Sequence, residues 1–90
     1  AVLNKQSAAV SYRGKSAELT KNEYRILLTL MEKSGEIVTR ESIMEQLWQD
    51  ESFVDENTLT VNVTRLRKKL ESIGLADFIT TKKGIGYIIK

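Results

Sequence analysis

The residues best suited to binding chemistry are concentrated in one stretch of the chain, from Asn57 to Lys69. This stretch carries two arginines, two lysines and several small polar side chains, and it contains no carboxylate. A guanidinium group binds two acceptors at once, an amide offers a donor beside an acceptor, and an ammonium acts as a point charge. The edges of nucleic-acid bases and the phosphates between them match these groups.

The composition argues against catalysis. The chain has no cysteine and no histidine, so thiolate or imidazole metal sites, disulfides and the most common general base are excluded. No nucleophile–base pair is visible, and the Gly84-Ile85-Gly86 run lacks the third glycine and the following helix of a nucleotide loop. We therefore predict that the chain is not an enzyme and needs no metal or cofactor.

Charge is distributed unevenly along the chain. Residues 1–56 hold seven Lys and Arg against ten Asp and Glu, a net charge of −3, whereas residues 57–90 hold seven against two, a net charge of +5. A basic segment of this kind is typical of a protein that binds a polyanion. A solvated helix face followed by a charged tail would give the same counts.

The strands and helices predicted around these residues fit one domain, 1–90. Short strands are predicted over residues 2–19, with a hairpin turn at Arg13-Gly14. A helix then begins at Thr20, which forms a T-x-x-E capping box with Glu23, and ends at Gly35. No apolar run approaches the ~20 residues that a membrane span requires.

Two more helices and a hairpin follow. A short extended piece at Ile37-Val38 precedes the second helix, which Thr39 caps and whose predicted apolar stripe is Ile43, Met44, Leu47 and Trp48. The third helix is predicted from a stripe spaced by four and three residues, and it ends at Gly74 with Leu75 folding back. Residues 78–89 form a hairpin around Lys83-Gly84. The stripe of the third helix consists of Leu59, Val63, Leu66, Leu70 and Ile73.

The polar face of the third helix supplies the candidate site. At about 100° per residue, Val61, Arg65 and Lys68 lie opposite the apolar stripe, with Asn62 near the edge. We predict that Arg65 pairs with guanine, Asn62 with adenine, and Val61 with a thymine methyl group, although Val61 also fits an ordinary exposed hydrophobe. The predicted phosphate-binding residues are Thr58, Arg67, Lys68 and Lys69, and the hairpin adds Lys82, Lys83 and Gly84 as a wing for phosphates or the minor groove.

Several sequence motifs, by their order and spacing, resemble the winged-helix output domain of OmpR/PhoB-type response regulators. The motifs are LTKNEYRILL at 19–28, VTRESIMEQLW at 38–48, VDENTLTVNVTRLRKKL at 54–70 and TKKGIGY at 81–87. Those around 57–70 are most similar to the branch that answers antimicrobial peptides such as bacitracin or nisin. Two positions depart from the pattern: Lys83 and Asn57 stand where an arginine and a basic residue are frequent.

The resemblance implies an α+β winged helix-turn-helix fold with a four-stranded N-terminal antiparallel sheet, three helices and a C-terminal β-hairpin wing. The recognition helix would span about 57–73 and the wing about 80–87. It also implies a phosphorylated receiver domain before Ala1, which would drive homodimerisation on tandem DNA repeats in the cytoplasm. The isolated domain is then expected to be a monomer.

The loop at 49–56 is, by the same resemblance, a surface that can face RNA polymerase. An acidic, solvated connection with Phe53 and Val54 in the core is an equally good interpretation. The leading hypothesis is sequence-specific binding of double-stranded DNA as the output domain of a two-component regulator. The alternative is a winged helix that docks on a protein partner, and RNA binding ranks lower because the basic face has no aromatic residue.

Overall fold

The computed structural model describes residues 1–49 and 54–89 and confirms the predicted α+β class. Strands β1 (Val2–Asn4), β2 (Ala9–Tyr12) and β3 (Lys15–Glu18) form an antiparallel sheet in the order β1-β2-β3. Arg13 and Gly14, with φ of 49° and 82°, make the predicted two-residue turn, since positive φ at both positions suits the twist of a hairpin. The expectation of four strands is wrong, because three strands and their turns use every residue before the first helix.

Helix α1 (Lys21–Glu32) begins with the predicted capping box. The Thr20 hydroxyl accepts a hydrogen bond from the Glu23 amide at 3.2 Å, and the Glu23 carboxylate accepts one from the Thr20 amide at 2.8 Å. The helix ends three residues before Gly35, at Glu32, with Lys33 as its cap. Gly35 has φ of 86°, and its N–H donates to the carbonyl of Ile89 at 2.7 Å, so this glycine turns the chain toward the C-terminal strand.

Strand β4 (Val38–Thr39) leads directly into helix α2 (Arg40–Gln49). Thr39 caps this helix as predicted, because its hydroxyl accepts from the Ser42 amide at 3.1 Å. Three of the four predicted stripe residues of α2 are buried, but the placement of Trp48 in the core is wrong, since its side chain is 51% exposed. Trp48 lies about 100° around the helix from the buried Leu47, which turns it toward the surface.

Helix α3 (Glu56–Ser72) presents its whole predicted apolar stripe to the core. It ends in the predicted Schellman motif: the Leu75 amide donates to the Leu70 carbonyl at 2.8 Å, and Gly74, with φ of 94°, donates to Glu71 at 3.0 Å. Val54, just before the helix, is buried as one interpretation of the acidic loop expected. Phe53 and the rest of 50–53 lie outside the described residues.

The C-terminal hairpin, strands β5 (Ile79–Lys82) and β6 (Gly86–Ile89), belongs to a second sheet of order β4-β6-β5. Val38 pairs with Tyr87 and Thr39 with Gly86, so the start of α2 and the hairpin are hydrogen-bonded neighbours. The sequence predicts an extended piece at Ile37-Val38 but not its pairing with β6.

One apolar core lies between the three helices and the faces of the two sheets. Helix α1 packs against both α2 and α3, and the buried residues of β6 close the remaining side. Among the described residues, no helix is both long and apolar enough to cross a membrane. The fully enclosed members of this core include Val10, Ile26, Leu27, Leu30, Ile43, Leu47, Leu59, Leu66, Leu70 and Ile89.

Candidate nucleic-acid interface

The first turn of α3 is fixed by an acidic cap. The carboxylate of Asp55 accepts a hydrogen bond from the Thr58 amide at 2.7 Å, and the bonds from Thr58 lower the pKa of Asp55 below its ordinary value of 3.8. Asp55 is therefore charged at neutral pH, where it also complements the positive end of the helix dipole. Helix α3 begins at Glu56 with Asp55 as its cap, so Asn57 lies inside the first turn.

A stripe of exposed side chains runs along α3 on the side away from the core. It consists of Asn57, Thr58, Val61, Arg65 and Lys68, and Val61 is 38% exposed. Within residues 1–49 and 54–89, the guanidinium of Arg65 and the ammonium of Lys68 have no hydrogen-bond or ion-pair partner. Two unpaired cations and an apolar side chain are thus presented together, as the helical spacing predicted. We call this stripe the outer face of α3.

Asn62 does not belong to the outer face. Its side chain is only 8% exposed, and its amide nitrogen donates to the carbonyl of Thr58 at 2.9 Å within the same helix. In this arrangement one donor of Asn62 is used and the group faces inward, and its pairing with adenine stays a prediction. An asparagine near the edge of a helical stripe can face either the core or solvent. The hydrogen bond to the Thr58 carbonyl holds the Asn62 side chain on the inner side.

The ammonium of Lys69 forms an ion pair with a carboxylate of α1. Its ammonium lies 2.6 Å from the carboxylate of Glu23, whose side chain is 1% exposed, while that of Lys69 is 34% exposed. Burial acts to raise the pKa of Glu23, but the bonds from Lys69 and Thr20 and the lysine charge together lower it below 4.5. The charge of Lys69 thus neutralises a buried carboxylate, and its contact with a phosphate stays a prediction.

Arg67 is likewise directed at the protein itself. One terminal nitrogen, Nη2, donates to the hydroxyl of Thr81 on strand β5, and the residue is half-buried. Its Nε is buried and has no hydrogen-bond partner among the described residues. The side chain of Arg67 thus links α3 to the hairpin, and its contact with a phosphate stays a prediction.

The tip of the hairpin is exposed and basic. Lys82 and Lys83 both face solvent, and the amide of Ile85 donates to the carbonyl of Lys82 at 2.9 Å to close the turn. Gly84 has φ of 75°, a conformation that side chains with a Cβ rarely adopt. Ile85 is also exposed, which places an apolar side chain beside the two lysines.

Two contributors to this surface carried no signal in the sequence analysis. Ile85 stands between two glycines, where its exposure depends on the three-dimensional turn and not on any periodicity. Arg40 begins α2, yet its guanidinium bonds to both α3 and β6. A single arginine at a helix start gives no indication of a partner 47 residues away.

A buried carboxylate paired across two helices makes stability depend on pH. Because the pKa of Glu23 is lower in the folded chain, the pair stabilises the fold above about pH 4.5, and this contribution is lost as the pH falls through the folded pKa. We expect urea unfolding from about pH 7 to about pH 3 to show this loss. The variant Glu23→Gln should depend less steeply on pH in the acid range, and an unchanged dependence would contradict the assignment.

Taken together, three helices, an exposed basic third helix and an attached basic hairpin define a winged helix-turn-helix domain. Residues 14–89 match the family described as transcriptional regulatory protein, C terminal. The chain therefore belongs to this family, which consists of regulatory domains and not of enzymes.

Three relatives illustrate the membership. Over 90 residues the chain is 51% identical to the sensory transduction protein BceR of Bacillus subtilis, of whose length it spans 39%. The solved C-terminal domain of the nisin resistance regulator NsrR, a lantibiotic response regulator, is 41% identical with a TM-score of 0.88, covering 98% of this chain and 89% of that one. The DNA-binding domain of the response regulator AdeR, solved with an intercistronic region, is 26% identical with a TM-score of 0.83, covering 99% and 90%.

Proposed function

We propose that the chain binds double-stranded DNA in a sequence-specific manner as the output domain of a two-component transcriptional regulator. The observation that carries this proposal is the outer face of α3, where the exposed Val61 is followed by Arg65 and Lys68, two cations that have no partner among the residues the structure describes. An α-helix of this kind fits the major groove, whose width admits it. The solved complex of the AdeR domain with an intercistronic region supports the same use of the fold.

The residues of the outer face and of the wing have separate roles in this proposal. Arg65 reads guanine through two parallel hydrogen bonds, and Val61 contacts a thymine methyl group. Thr58 and Lys68 hold phosphates, which fix the register of the helix without reading sequence. The wing residues Lys82, Lys83 and Gly84 reach the neighbouring phosphates or the minor groove, with lysine supplying charge and not a planar fork. In this reading α3 is the recognition helix.

The wider setting is part of the same proposal. The chain spans 39% of BceR, and we infer that the whole regulator carries a receiver domain whose phosphorylation promotes homodimers on tandem DNA repeats in the cytoplasm. The likeness to the nisin resistance regulator favours genes for antimicrobial-peptide resistance or envelope stress as targets. The loop at 49–56 is proposed to contact RNA polymerase, although 50–53 lie outside the described residues.

A pair of matched variants tests the division of roles on the outer face. Arg65→Ala should lose about 1–3 kcal/mol of discrimination between the preferred site and a site with the guanine replaced. Lys68→Ala should weaken binding to both sites alike and reduce the slope of log K against log salt by about one. Fluorescence anisotropy with duplexes from a random-pool selection, at two salt concentrations, measures both quantities.

Lys15→Ala is the charge-matched control, since Lys15 is exposed on the N-terminal sheet. It should leave affinity and discrimination unchanged. Unaltered discrimination in Arg65→Ala would show that another residue reads the base. Absence of any salt-dependent DNA affinity in the unmodified chain would favour the protein-docking alternative over the proposed function.

A further inference from the structure

Arg40, the first residue of α2, bonds to both elements of the proposed DNA-binding surface. Its Nη1 donates to the hydroxyl of Tyr87 on wing strand β6 at 2.8 Å, and its guanidinium carbon lies 5.8 Å from the centre of that ring. Its Nη2 donates to the carbonyl of Glu56 at 2.9 Å and to the hydroxyl of Thr60 at 2.8 Å, both in the first turns of α3. One side chain thus joins the start of α2 to the wing and to the recognition helix.

The backbone around Arg40 strengthens the same junction. The amide of Arg40 donates to the carbonyl of Ile85 at 3.2 Å, next to the pairing of Thr39 with Gly86. Only a planar guanidinium supplies several N–H donors in fixed directions, so a lysine cannot make the three side-chain bonds at once. Besides the direct bond from Arg67 of α3 to Thr81 of β5, the wing is therefore held to α3 through Arg40 of α2, by both its main chain and its side chain.

We propose that Arg40 is a positioning residue that locks the wing to α3, so that the two meet DNA as one preorganised unit. This inference rests on the proposed function and adds a residue outside the contact surface to it. If the wing moved independently of α3, it would have to be ordered each time DNA binds, and part of its contact energy would be lost. Three of the five N–H donors of Arg40 already have protein acceptors, and Tyr87 is buried, which favours a positioning role over direct contact with DNA.

The variants follow from these contacts. Arg40→Lys keeps the positive charge and removes the planar guanidinium. Tyr87→Phe keeps the ring and removes the hydroxyl that accepts the hydrogen bond from Nη1 of Arg40. Arg13→Lys is the matched control, because the guanidinium carbon of Arg13 lies 5.2 Å from the ring centre of Tyr12 at the turn of the N-terminal sheet, away from the wing. All variants are made in the chain of 90 residues.

The first measurement asks whether the wing acts together with α3 on DNA. Lys83→Ala is combined with each background, and the dissociation constant is measured for one selected duplex at fixed salt. Loss of the wing lysine should weaken binding about fivefold in the unmodified chain and in Arg13→Lys, as expected for the net contribution of one typical hydrogen bond. In Arg40→Lys the same loss should shrink to less than about twofold, because an unlocked wing contributes less.

The second measurement needs no DNA. Amide hydrogen exchange of β6 and of the first turn of α3 should be faster by about tenfold in Arg40→Lys, and also raised in Tyr87→Phe, relative to the exchange of strand β2. Arg13→Lys should leave these amides unchanged. Comparison with β2 separates local loosening from a general loss of stability.

The outcomes distinguish this inference from the proposed function. A chain without salt-dependent DNA affinity would overturn the proposed function, and the exchange measurement would still decide whether Arg40 locks the wing. Unchanged exchange in Arg40→Lys overturns the inference outright. A fivefold effect of Lys83→Ala in all three backgrounds overturns it for DNA binding, even where the exchange differs.

Discussion

Replacing Gly86 with alanine is expected to lower the free energy of unfolding by about 3 kcal/mol or more and to abolish tight DNA binding. A Cβ at this position would overlap the carbonyl oxygen of Val38 and come within 2.8 Å of the Cα of Thr39. Both obstacles are backbone atoms of strand β4, so a side-chain rotation cannot make room. Strand β6 must then move away from β4, and the wing with it.

Gly84→Ala supplies the control for this prediction. Gly84 has open space around its Cβ position but φ of 75°, so alanine there meets only the conformational penalty of a left-handed residue, about 1–2 kcal/mol. Urea unfolding of the two variants at neutral pH measures the difference. A Gly86→Ala variant no less stable than Gly84→Ala would mean that β4 and β6 are not packed as described.

Lys69→Met is expected to be the second large effect, with a loss of about 2–4 kcal/mol in the free energy of unfolding. Removing one partner of a buried ion pair leaves an uncompensated charge, for which about 3–5 kcal/mol is typical. The lower range applies because Lys69 is one-third exposed and water screens part of the pair. Without the lysine, burial dominates and the pKa of Glu23 should rise.

Two further variants separate this effect from a general loss of positive charge. Lys68→Met removes the neighbouring lysine on the outer face and should change the stability by less than about 0.5 kcal/mol. The double variant Glu23→Gln with Lys69→Met should recover at least half of the loss, because the neutral amide still accepts from the Thr20 amide. Equal losses in Lys68→Met and Lys69→Met, measured by chemical unfolding, would contradict the buried pair.

Local rules in the sequence predict most of the fold. The T-x-x-E box at Thr20, the Arg13-Gly14 turn and the Schellman ending at Gly74 each depend on residues within five positions of one another. Such features need no knowledge of the rest of the chain, and the structure confirms all three. The pairing of β4 with β6 joins Val38 to Tyr87 across the whole length of α3, so no local pattern predicts it.

At the proposed DNA-binding surface, too, the sequence predicts the local features and not the long-range contacts. Helical spacing alone places Val61, Arg65 and Lys68 on the outer face, as observed. Helical spacing gives the direction of a side chain around the helix, but it does not give the residues of other elements that lie on that side. Glu23 of α1 lies beside Lys69, and Thr81 of β5 lies beside Arg67. Both contacts bind cations that the sequence predicts for phosphates, and they hold α3 against α1 and the hairpin.

Amide NMR shifts followed during titration with a selected duplex show whether α3 and the wing bind DNA with the side turned away from the core. The largest changes should fall on Thr58, Val61, Arg65 and Lys68 and on residues 82–85, and strands β1 to β3 should change little. Shifts confined to the N-terminal sheet, or no change along α3, would contradict the account.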